Sequence, residues 1–213
     1  MKAYIFDLDG TLLDSTAVWE QIDIDFLNER GIPVPPDYAP TIAPMSFRET
    51  AEYTIARFRL SDAADALCRK WFDMALYAYG HTVKLKPHVR EYLAALKARG
   101  KKLAVATSST PQLYEAALRN LDILNFFDVI CSADEVEYGK SRPDIFILAA
   151  KKLNVSPSGC VVFEDVLQAV QSAKSAGMTV YGIYDEASKA DWEQIKTTAD
   201  GAFTDFKDAP LPK

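Results

Sequence analysis

Ala3–Phe6 is an unbroken apolar run, and it stops at once against Asp7-Leu8-Asp9-Gly10-Thr11. Such a run, with no polar alternation, suits a strand buried on both faces. That is the strand of a parallel sheet covered by helices. Leu103–Ala106, Val129–Cys131, Cys160–Phe163 and Val180–Ile183 repeat the pattern. Between them, apolar residues fall at helical spacing. Val166, Ala169, Val170, Ala173 and Ala176 share one face, small enough to seat closely on a sheet, and Gly177 is placed to stop that helix. Strands alternating with helices predict an α/β fold, a parallel sheet with helices on both faces.

Residues 15–82 break this rhythm. Trp19, Ile22 and Phe26 lie on one helical face, and Leu67, Trp71, Met74 and Ala78 on another. Pro33, Pro35, Pro36, Pro40 and Pro44 mark an irregular connection between the helices. The expected organisation is therefore a core from 1–14 and 83–213, with an all-helical domain inserted at 15–82. The tail from Asp208 to Lys213 holds two prolines and is expected to fray.

The chain carries 24 basic and 30 acidic residues, a formal net charge of −6. A nucleic-acid partner calls for a basic excess or stripe, and neither is present. Cys68, Cys131 and Cys160 are odd in number, widely spaced and without a CxxC pair, so reduced thiols are expected in place of a disulfide scaffold or zinc site. No apolar h-region follows the first residues, and no apolar run approaches the ~20 residues a bilayer requires. The expectation is a cytoplasmic chain with no membrane partner. Nothing in the sequence reports oligomeric state, and a monomer is the default.

The chemistry sits at the strand ends, where open α/β sheets bind their ligands. Asp7 and Asp9 place two carboxylates just past the first strand, and their repulsion is relieved by a cation such as magnesium, which prefers oxygen ligands. Thr107-Ser108-Ser109 follows the second run and offers hydroxyls and free N–H groups to phosphoryl oxygens, though the same residues cap ordinary helices. Lys140 follows the third, and Glu164-Asp165 ends the fourth with a second acid pair. Each element alone has a plain alternative: a solvated acidic turn, a helix cap, a surface lysine. A parallel sheet, however, brings all four to one edge, and together they make a metal-phosphate site.

These segments, FDLDGT at 6–11, ATSS at 106–109, GKSRPDIF at 139–146 and FED at 163–165, resemble the haloacid dehalogenase superfamily in its helical-cap branch. That branch includes phosphoglycolate phosphatases, sugar phosphatases and beta-phosphoglucomutases. The resemblance implies a Rossmann-like core with a cap at 15–82 and a magnesium-dependent phosphatase of a small phosphorylated metabolite. It implies that Asp7 is the nucleophile, becoming an aspartyl phosphate, and that Asp9 is the general acid and then base. It further implies that Thr107 and Ser108 hold the phosphoryl group with Lys140. Asp7, the Asp9 carbonyl, Glu164 and Asp165 are the implied magnesium ligands.

The departures are local. Family members often follow the lysine with proline, where this chain has Ser141. They often follow the acid pair with serine, where it has Val166, and Ala169 stands at a usual glycine. Dehalogenases and phosphonate hydrolases lack the acid at Asp9. The mutases resemble one another in a histidine twelve residues after the nucleophile, and this chain has Trp19 there. A phosphoglucomutase-like transferase is the second reading. In the inserted domain, Ser46-Phe47-Arg48-Glu49 resembles a substrate-contacting turn, so Arg48 meets either an anionic substrate or a neighbouring acid on its own helix. Trp19 either packs the cap or lines a substrate pocket. His81 and His88 lack metal-ligand spacing and read as structural.

Overall fold

A computed structural model describes residues 1–42 and 45–212, and Pro44 from the proline series and Lys213 from the tail lie outside them. The chain divides into two compact units, Met1–Thr16 with Val83–Lys213, and Ala17–Thr82. The division falls after Thr16, not after Asp14. Side-chain bonds tie both residues to the first unit: Ser15 Oγ donates to Asp9 at 2.6 Å and Thr16 Oγ1 to Asp185 at 2.9 Å.

The first unit contains β1 (Ala3–Phe6), β2 (Leu13–Asp14), β3 (Lys84–Leu85), β4 (Lys102–Thr107), β5 (Val129–Ser132), β6 (Cys160–Glu164), β7 (Thr179–Ile183) and β8 (Gly201–Phe203). Six of them form a parallel sheet in the order β5-β4-β1-β6-β7-β8. The five expected strands are all present, each within a residue of its expected bounds. β8 was not expected. It is a three-residue edge strand containing a glycine, too short to leave a periodic signal. β2 and β3 pair antiparallel through Leu13–Leu85 and Asp14–Lys84, a contact between segments seventy residues apart that no local pattern announces.

The second unit is α1 (Val18–Asn28), α2 (Tyr38–Ile42), α3 (Phe47–Phe58) and α4 (Ala64–His81). Ile22 and Phe26 are buried as expected, but Trp19 is 38% exposed. On α4 the buried stripe is Leu67, Trp71, Ala75 and Tyr79, a strict fourfold spacing, and Met74 and Ala78 are only half-buried. The expected stripe drifted off the buried face because it mixed steps of three and four. Trp71 closes this small core edge-on against Phe26, with ring centroids 5.4 Å apart. Pro40 lies inside α2, not in the loop expected of it. It occupies the first turn, where a missing N–H breaks no helical bond. Ser46 caps α3: its Oγ accepts the Glu49 N–H, and its own backbone N–H donates in return to the Glu49 carboxylate.

The sheet is flanked by α5 (Val89–Ala98), α6 (Pro111–Asn120), α7 (Asp144–Lys152), α8 (Leu167–Ser175) and α9 (Trp192–Thr198). Its two faces differ because successive side chains alternate. Ala3, Ile5, Ala104, Ala106, Cys160 and Val162 form a small-residue face that packs with Phe146 and Ala149 of α7, Val170 of α8 and Ile195 of α9. Tyr4, Phe6, Phe163 and Tyr181 form an aromatic face. There Phe6 and Phe163 stack at 4.8 Å and meet Tyr92 of α5 and Phe206.

Val166, expected on the buried face of α8, is the extended N-cap and is 47% exposed. The helical period starts only after it, and Ala169, Val170, Ser172 and Ala173 face the core. Gly177 does end the helix, at φ +73°, donating its N–H to Lys174. The cysteines are free. Among the described residues no helix is long and apolar enough to cross a membrane.

Candidate active site

From β1 the chain steps outward through β4 and β5 and then returns to the opposite side for β6. The crevice at the carboxyl ends of β1, β4 and β6 is therefore the point where the strand order reverses, the usual ligand position in an open parallel sheet. Asp7 is the first residue past β1. Its backbone N–H donates to Phe163 O at 3.0 Å, so the sheet itself sets its height beside β6.

The loop after Asp7 is tight. Leu12 and Leu13 N–H both donate to Leu8 O, and Gly10 N–H to Leu13 O at 3.0 Å. Gly10 has φ +83°, and a Cβ there would stand 2.4 Å from Asp165 Oδ2. Only glycine lets Asp165 approach. Gly10→Ala is expected to cost about 1–3 kcal/mol of stability and to displace Asp165. Thermal melting and a magnesium titration would check this, with divalent-cation affinity falling roughly 10–100-fold. Unchanged melting and affinity would show that the loop relaxes freely.

Glu164 is the last residue of β6 and is wholly buried, and Asp165 beside it is 2% exposed. Lys140 comes from the loop between β5 and α7. Its Nζ bonds Asp7 Oδ1 and, at 3.0 Å, Glu164 Oε2. Burial by itself would depress the Lys140 ammonium, but the two carboxylates outweigh it and hold its pKa above the usual lysine range. Burial, then repulsion from Asp7, pushes the Glu164 carboxyl up, and Lys140 offsets part of this. Asp165 is pushed further, by burial and then by both other carboxylates. Thr11 Oγ1 donates to Asp165 Oδ1 at 2.9 Å and Ser188 Oγ reaches its Oδ2 at 3.5 Å.

Asp7, Glu164 and Asp165 each present an oxygen within 4.8 Å of the others. Three buried carboxylates share one ammonium, so negative charge is in excess in a desolvated place. An oxygen-only donor set of this kind fits a hard divalent cation such as magnesium. The Asp9 carboxylate stands outside this cluster of three and accepts from Ser15 Oγ at 2.6 Å. The sequence expectation for Asp9 as a ligand concerned its carbonyl.

Thr107 ends β4, fully buried, and its Oγ1 accepts the Ser109 N–H at 2.9 Å. Ser108, Asp7, Asp9, Lys140 and Glu164 line one cavity of about 210 Å³, with Ser141 and Gln168 at its wall. Sequence reasoning missed four supporting residues. Thr11 lies inside the DLDGT segment and was legible as a hydroxyl beside the acids. Ser15, Ser188 and Gln168 carry no local signal, because only the fold brings them here.

Arg48 belongs to the helical unit, where its exposed guanidinium pairs with Glu52 at 3.0 Å and Asp65 at 2.6 Å. These contacts match the ion-pair alternative. His81 stacks on Tyr77 and bonds its carbonyl at 2.9 Å, and His88 bonds Asp205 at 2.7 Å.

Comparison with known proteins supports the same chemistry. A family model described as haloacid dehalogenase-like hydrolase matches residues 1–177. A phosphorylated carbohydrates phosphatase of Thermotoga maritima is 33% identical over 184 residues, 86% of this chain and 85% of its own length. The beta-phosphoglucomutase of Bacillus subtilis is 32% identical, covering 86% and 83%. A solved Thermotoga maritima structure, provisionally described as a beta-phosphoglucomutase, superposes with a TM-score of 0.83 at 30% identity over 96% of this chain and 94% of the other.

Proposed function

The chain belongs to the haloacid dehalogenase-like hydrolases, and we propose that within this family it is a magnesium-dependent phosphatase of small phosphorylated carbohydrates. The observation that carries the proposal is the convergence of Asp7, Lys140, Glu164 and Asp165 on one desolvated point at the carboxyl end of β1. The names of the Thermotoga and Bacillus relatives support a sugar phosphate as substrate.

In this reading the Asp7 carboxylate attacks phosphorus. As the new O–P bond forms, the bond from phosphorus to the carbohydrate oxygen breaks, and Asp9 gives that oxygen its proton. Asp9, now a carboxylate, takes a proton from water. The hydroxide oxygen adds to phosphorus, inorganic phosphate leaves and Asp7 is restored. Ser15 orients Asp9 for both transfers by its hydrogen bond to Oδ1. Thr107 and Ser108 contact the phosphoryl oxygens, and Lys140 counters charge on Asp7 and on the group in transfer. Asp7, Glu164, Asp165 and the Asp9 carbonyl would hold magnesium, which when bound neutralises charge on the phosphoryl oxygens.

The mutase alternative requires phosphoryl transfer to a sugar hydroxyl with water kept out. The position that resembles the mutase histidine is Trp19, whose indole donates one hydrogen bond and cannot titrate. Its ring packs against Phe47 at 5.6 Å. Assayed with a panel of sugar phosphates and magnesium, the protein should release inorganic phosphate. With beta-glucose 1-phosphate and a bisphosphate primer, free phosphate should account for nearly all substrate consumed. Efficient formation of glucose 6-phosphate in a coupled dehydrogenase assay would replace the phosphatase reading with the mutase one.

A further inference from the structure

We propose that the helical unit carries a binding pocket for a small organic ammonium group. A cavity of about 330 Å³ lies within this unit, lined by Trp19, Asp23, Met45, Phe47, Thr50 and Trp71 among others. That volume lies at the small end of ligand sites. Trp19 and Phe47 meet at 78° with centroids 5.6 Å apart, and Phe47 and Trp71 at 58° and 5.8 Å. Neither pair is a parallel stack, and all three rings line the cavity. Trp19 and Phe47 remain 38% and 42% exposed, although both are large and apolar.

Asp23 is the charged residue of this wall. Among the described residues no hydrogen bond or ion pair reaches it. Burial, and then the neighbouring Glu20, pushes its carboxyl up to about 6, which leaves it largely ionised at neutral pH. Among the described residues no lysine, arginine or histidine lines the cavity. In the same unit Arg30 pairs with Asp62, Arg57 with Asp37 and Lys70 with Glu29.

The occupant follows from this chemistry. A half-buried carboxylate accepts hydrogen bonds and donates none, so its partner must bring positive charge or a donor. The faces of tryptophan and phenylalanine carry the negative side of the ring quadrupole and attract a cation within about 6 Å. An anion would meet Asp23 and Glu20. A neutral apolar group would leave Asp23 desolvated and unpaired. A polyol would bond Asp23 but leave the ring faces without a charge to attract. The proposal concerns the helical unit alone and stands whether or not Asp7 is a nucleophile.

Isothermal titration calorimetry on the full-length protein tests it, with choline as the probe and the neutral alcohol in which carbon replaces the choline nitrogen as its control. Choline should bind saturably, and the neutral isostere at least roughly tenfold more weakly. Asp23→Asn should weaken choline by roughly tenfold while the circular dichroism melt overlays that of the parent. Trp19→Ala, at a half-exposed position, provides a second variant if Asp23→Asn fails to fold, and should weaken choline likewise. In heteronuclear NMR the indole N–H signals of Trp19 and Trp71 should shift with choline and that of Trp192 should not. Absence of choline binding, equal binding of the neutral isostere, tighter binding of sorbitol, or full binding by a folded Asp23→Asn variant would each overturn the proposal.

Discussion

Asp7→Asn should leave a folded protein whose turnover falls at least ~1,000-fold. The amide keeps the shape of the side chain and does not touch the backbone bond from Asp7 N–H to Phe163, so the sheet edge is preserved. What is lost is the carboxylate that, in the proposed mechanism, attacks phosphorus. Stability should move in the other direction or not at all. Asp7 contributes to the repulsion that raises both Glu164 and Asp165, and neutralising it leaves Lys140 its 3.0 Å bond to Glu164. Without added divalent cation the variant should melt at or above the wild-type temperature. Near wild-type phosphate release by the variant would place the nucleophile elsewhere. A large drop in melting temperature would show that the Asp7–Lys140 pair supports the fold more than the chemistry.

Chelation should abolish phosphate release, by at least ~100-fold, and magnesium should restore it. The reason is the charge balance of the site: three buried carboxylates and one ammonium repel a phosphate dianion, and the deficit must be met before substrate can approach Asp7. Binding has a readout that needs no turnover. A cation that binds only the folded chain at one hundred times its Kd adds about 2.7 kcal/mol of stability, visible as a raised melting temperature. Asp165→Asn should remove most of that rise. Calcium should also raise the melting temperature yet support little turnover, because its longer, looser coordination spoils in-line geometry. Full activity after exhaustive chelation, or a magnesium-induced rise retained by Asp165→Asn, would remove the metal from this site.

The two kinds of information in the chain were unequally legible. Buried strands announce themselves, because a residue covered on both faces must be apolar, and β1, β4, β5, β6 and β7 all carried that mark. β8 did not, since an edge strand of three residues needs no such run. Helical stripes were legible to within a step. Spacing alone runs the α4 stripe through Met74 and Ala78, whereas packing selects Ala75 and Tyr79, and it extends the α8 stripe to Val166, which only caps that helix. Those errors share a cause: spacing fixes a face only approximately, and neighbouring elements choose among adjacent ridges.

By itself the sequence determined which chemistry stands at the strand ends. Asp7, Asp9, Thr107, Ser108, Lys140, Glu164 and Asp165 each follow or end an apolar run, and their order along the chain is a local property of the polymer. Only the tertiary structure decided which of them meet. Because β1 lies between β4 and β6, Asp7, Glu164 and Asp165 gather within reach of one ion, while Asp9 turns to Ser15. Lys140 arrives from a loop 133 residues away from Asp7. Thr11 and Ser188 reach Asp165 from opposite ends of the chain, and Arg48 spends its charge on Glu52 and Asp65. Apolar periodicity records whether a residue is buried, whereas these meetings depend on strand order and on hydrogen bonds between distant segments, and no local pattern encodes them.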